Sequence, residues 1–146
     1  MAAETQTVDL AAWLTEIWDE EERLAKAAAE QYPGQEWNMG ADDVVGAERG
    51  GYVACGAYGG GISEEIGAHI VAHDPASVLA RVAADRKILE LHMPSSELCF
   101  WTNMSPETHE DYGRDCFPDG TFVCETLRLL AWPYADRADY REEWKP

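Results

Sequence analysis

The chain has 146 residues, 46% of them hydrophobic, with six tryptophans and a formal net charge of −17. That length and composition predict one folded domain, residues 1–146, with a buried core rather than a disordered chain. The charge argues against direct contact with nucleic acid or an anionic membrane, which needs clustered Lys and Arg, and leaves room for a basic protein partner.

No run of about 18 apolar residues and no basic-then-apolar start is visible, so neither a membrane span nor a signal peptide is expected. A cytoplasmic protein follows. In a reducing compartment four cysteines read as buried thiols or metal ligands before disulfides.

The first predicted element is a long amphipathic helix. Leu10, Trp13, Leu14, Ile17, Trp18, Leu24, Ala25 and Ala28 recur mostly at three- and four-residue steps and form one apolar stripe. Thr7 is its expected N-cap, with Asp9 in the first turn, and Glu22 precedes Lys26 at the favourable four-residue spacing. Tyr32-Pro33-Gly34 ends it. Gln35 to Met39, Val44 to Glu48 and Gly51 to Tyr58 then read as a small antiparallel meander broken at glycines. Gly59-Gly60-Gly61 lacks the residues of a phosphate loop and is read as a turn leaving the sheet.

Ser63 is expected to cap a second helix running to about His73. Asp74-Pro75 restarts the chain, Asp as N-cap and Pro at the first helical position. That third helix carries Val78, Leu79, Val82, Ile88, Leu89 and Leu91 through to His92, and Met93-Pro94 stops it. A long loop, 94–123, leads to a last helix opened by Cys124 and continued through Leu127, Leu129, Leu130 and Trp132. The tail after Pro133 keeps Tyr140 and Trp144 to dock on the core. The fold class is α+β.

Three cysteines, Cys99, Cys116 and Cys124, fall within 26 residues, and His92 stands seven positions ahead of the first. Three thiolates and a neutral imidazole suit tetrahedral zinc, which would staple a loop that lacks periodicity of its own. The intervals of 16 and 7 intervening residues match no standard zinc finger. His109 could take the place of His92, and buried free thiols are the competing reading.

Glu65, His69 and His73 stand four apart on one helix face, a spacing at which two histidines can share a metal. The residue after His69 is Ile70, so the catalytic Glu of a His-Glu-x-x-His hydrolase is missing, and a binding or structural role is preferred. Cys55 is expected to be a small buried thiol in a strand. The tryptophans read as core, with Trp101, in the cysteine loop, as the candidate partner anchor.

The stretch His69, His73, Asp74, Pro75, Val78 and Leu79, continuing to Arg86, Lys87, Ile88 and Leu89, resembles a motif of an uncharacterised family. That family comprises small acidic proteins of actinobacteria and their phages. Cys124, Leu127, Arg128, Leu129, Leu130, Pro133 and Tyr134, and the closing run Asp139 to Trp144, are similar to the family's ending. The resemblance implies a bacterial or phage source and an intact domain, and carries no activity. Members often show a close pair of cysteines or histidines ahead of the Cys124 position, whereas Cys99 and Cys116 lie far apart here.

The reading these residues support is a non-enzymatic, protein-binding regulatory module, stapled by zinc or by thiol packing. Two alternatives remain: an acidic mimic of nucleic acid that inhibits a DNA- or RNA-binding protein, and a small metal-dependent hydrolase built on His69 and His73.

Overall fold

The computed structural model describes residues 2–31, 34–40, 43–92 and 124–146. Cys99, Trp101, His109 and Cys116 lie outside the described residues. The fold is mixed α and β, in the expected order: α1 (Ala2–Gln31), β1 (Trp37–Met39), β2 (Val45–Ala47), β3 (Tyr52–Ala54), α2 (Glu64–Ala72), α3 (Pro75–His92) and α4 (Glu125–Ala131). No helix of the described residues is long and apolar enough to cross a membrane. The chain divides into two compact units, residues 1–17 with 85–146, and residues 18–84.

The first unit is built on the apolar stripe of α1. Leu10 and Leu14 are fully buried, and Trp13 is 8% exposed. α1 begins well before Thr7, so Thr7 is not the N-cap expected of it; it is a buried residue within the helix. The C-terminal tail covers Trp13 as expected. Tyr140, Trp144 and Tyr134 stand at ring-centroid distances of 5.7, 5.0 and 6.4 Å from it, and Trp144 is 1% exposed. Tilted and edge-to-face pairs of this kind contribute about 0.5–1.5 kcal/mol each beyond area burial. The tail itself has little regular structure, so these rings are its anchorage.

In the second unit the three strands pair antiparallel in the order β1-β2-β3. Trp37 faces Ala47 and Met39 faces Val45, while the β2–β3 register shifts between Val45 and Gly46. The β2–β3 turn uses Gly50 and Gly51 at φ 99° and 101°, a region that side chains with a Cβ rarely adopt. Strands of three residues cannot stand alone. α2 lies against β1 and β2, and Gly67 is the point of closest approach, since a Cβ there would overlap the Met39 side chain.

Both predicted helix starts hold. Ser63 Oγ accepts from Ile66 N–H at 3.4 Å to cap α2. The Asp74 carboxylate accepts from Ser77 N–H at 2.7 Å to cap α3, and its second oxygen accepts from Trp37 N–H at 3.2 Å. One buried aspartate thereby fixes α3 to the edge of the sheet. Arg81 of α3 pairs with Glu21 of α1 at 2.8 Å in the same unit.

Candidate metal centre

α3 ends at His92, and Cys124 is the N-cap residue of α4. His92 and Cys124 are thus the described residues on either side of 93–123. The Cys124 Sγ lies 3.3 Å from His92 Nδ1, across 32 positions of sequence. Cys124 is 4% exposed and His92 is half-buried. The contact suits a thiol–imidazole hydrogen bond. It also suits shared coordination: with Zn–S of about 2.3 Å and Zn–N of about 2.0–2.1 Å, a tetrahedral ion holds its sulfur and nitrogen about 3.5 Å apart. Two of the four predicted ligands are thus brought together, and the other two lie outside the described residues. No group of three or more potential metal ligands occurs among the described residues.

The helix face bearing Glu65, His69 and His73 divides. His69 and His73 face each other with ring centroids 4.6 Å apart and an interplanar angle of 61°, and both are exposed. Glu65 is engaged at the other end of α2. Hydrogen bonds from its own backbone N–H and from Ser63 hold its carboxyl below the usual glutamate range. No acidic side chain joins the two histidines among the described residues.

His73 also borders a groove of about 370 Å³ within the second unit, whose apolar floor includes Leu24, Ala28, Pro75 and Val78 and whose rim holds Glu21 and Arg81.

Two expectations need correction. Cys55 is exposed, because β3 closes at Ala54 and the thiol falls in the irregular stretch beyond it. Trp132 is 51% exposed rather than core, and Leu129 is 56% exposed. The helical period carries the signal that was missed. Leu127 and Ala131 are four apart and buried, which turns Leu129 and Trp132, three apart, to the other side of α4.

Residues 7–146 match the model of a family described as "Family of unknown function (DUF6221)", and the chain belongs to that family. No curated protein and no solved structure matches it.

Proposed function

We propose that this protein is a non-enzymatic, protein-binding regulatory module of the cytoplasm. In this reading the segment 93–123 is stapled at its base by one zinc ion on His92, Cys99, Cys116 and Cys124. The observation that supports this is the 3.3 Å approach of Cys124 Sγ to His92 Nδ1. A soft and a borderline ligand from two separate helix ends already stand within a few tenths of an ångström of the spacing zinc requires. Thiolates from Cys99 and Cys116 close the set. A closed Cys3His shell leaves no position for substrate, which makes the site architectural rather than catalytic.

The staple would hold the two ends of the segment together, offsetting the entropy of loop closure and coupling metal binding to folding. Trp101 is the candidate anchor within that segment, and α4 and its C-cap carry exposed Leu129 and Trp132. Aromatic anchors are the residues on which protein interfaces concentrate their energy. With a net charge of −17, the partner suited to this surface is a basic protein, a nucleic-acid-binding protein being the obvious class.

The test is metal content of the full-length protein prepared without chelators. One zinc per chain in the wild type and none in Cys124→Ser supports the reading. A metal-free wild type, or zinc retained when Cys124→Ser is combined with His69→Asn and His73→Asn, overturns it.

A further inference from the structure

The histidine pair on α2 is a second candidate metal site, independent of His92 and Cys124. We propose that His69 and His73 form a two-nitrogen chelate for a borderline transition-metal dication of the zinc, nickel or cobalt type. The remaining coordination positions are open to water or to a donor from outside.

The separation of the two rings suits a shared ion. An imidazole nitrogen bound at about 2.0–2.1 Å carries its ring centroid about 3.2 Å from the metal, so two rings at 90° or at the tetrahedral angle stand about 4.5–5.2 Å apart. The observed 4.6 Å lies inside that interval. The helix needs no adjustment, and exposed imidazoles reorient by side-chain rotation alone. The four-residue spacing places both on one face, as in helical zinc sites.

Position adds to geometry. His69 is in the last turn of α2 and His73 is its C-cap residue, so the pair sits where the carbonyl end of the helix dipole favours a cation. Imidazole selects zinc, copper and nickel over the hard cations magnesium and calcium. The nearby guanidinium of Arg81, on the groove that His73 borders, is matched by Glu21 at 2.8 Å. His73 lines this groove, from which an outside donor could reach the pair. With Glu65 turned to the other end of α2 and no further ligand among the described residues, the chelate is open, unlike the closed set at the base of the 93–123 segment.

The test uses the full-length Cys124→Ser variant, so that failure of the zinc staple and failure of this site are separately visible. Nickel is titrated calorimetrically, and cobalt binding is followed for thiolate charge transfer in the near ultraviolet. The expected result is one equivalent bound without a thiolate band. His69→Asn and His73→Asn should each weaken it about a hundredfold, the scale on which one of two linked ligands contributes. Circular dichroism checks that these exposed substitutions leave the helices in place. No bound equivalent, binding unchanged in either single variant, or binding that carries the thiolate band and ignores both substitutions overturns the proposal.

Discussion

The Trp13 indole N–H donates to an Asp139 carboxylate oxygen at 2.8 Å, joining residues 126 positions apart. Trp13 belongs to α1 and Asp139 to the tail, so this bond and the rings around it decide whether the last residues are part of the fold. Arg141 reinforces the attachment, with its guanidinium 4.9 Å from the Trp144 ring centroid and 3.1 Å from Asp9.

Trp13→Ala should therefore destabilise the protein by about 3–5 kcal/mol, the usual cost of truncating a large buried aromatic. Trp13→Phe keeps most of the apolar area and loses the donor, and should cost about 1–3 kcal/mol. Urea unfolding measures both, and limited proteolysis should show the tail released first in the alanine variant.

Asp139 also gives the protein an acid dependence. Its carboxyl is held below the usual aspartate range, chiefly by the Trp13 hydrogen bond, with Arg137 assisting. A carboxylate with a depressed folded pKa contributes stability above its unfolded pKa, and that contribution is lost as pH falls through the folded value. The stability difference between wild type and Asp139→Asn should thus be constant above about pH 5 and shrink as pH falls through the ordinary aspartate pKa of about 4. Denaturant melts over that range check it. A difference that grows on acidification contradicts it.

Asp74 and Ser63 both cap helices but should not weigh equally. Asp74 is 6% exposed and bonds two backbone N–H groups, whereas the exposed Ser63 accepts one at 3.4 Å. Asp74→Ala should cost about 2–3 kcal/mol and Ser63→Ala about 0.5 kcal/mol. Thermal unfolding of the pair measures the gap.

Gly67→Ala offers a test of the α2–sheet packing. Alanine favours the helix by up to about 1 kcal/mol, but its Cβ collides with the Met39 side chain and overpacking costs about 1–3 kcal/mol. The single variant should be destabilised. Combined with Met39→Ala, the collision disappears and Gly67→Ala should become neutral or stabilising, a coupling that a double-mutant cycle reads directly.

Much of the fold was legible because its signals are local. Ser63 and Asp74-Pro75 carry caps that act within three residues, and the stripe from Leu10 to Trp18 repeats at the helical period. The start of α1 was not legible, since a threonine such as Thr7 reads as a cap whenever its burial is unknown. Cys55 and Trp132 were misjudged for a related reason. Composition says that thiols and indoles prefer the interior, but a strand that closes at Ala54 rather than running on to Tyr58 exposes Cys55, and burial of Leu127 and Ala131 turns Trp132 outward. Nothing in local sequence links His92 to Cys124, 32 positions apart, and their 3.3 Å approach comes from the tertiary fold.

The proposed zinc staple requires His92 and Cys124 to share an ion, and X-ray absorption at the zinc edge of the full-length protein addresses this most directly. It predicts a tetrahedral first shell of sulfur at about 2.3 Å with one nitrogen at about 2.0–2.1 Å, and loss of the nitrogen in His92→Ala. A shell of oxygen and nitrogen alone, or a sulfur shell unchanged by His92→Ala and Cys124→Ser, would contradict it.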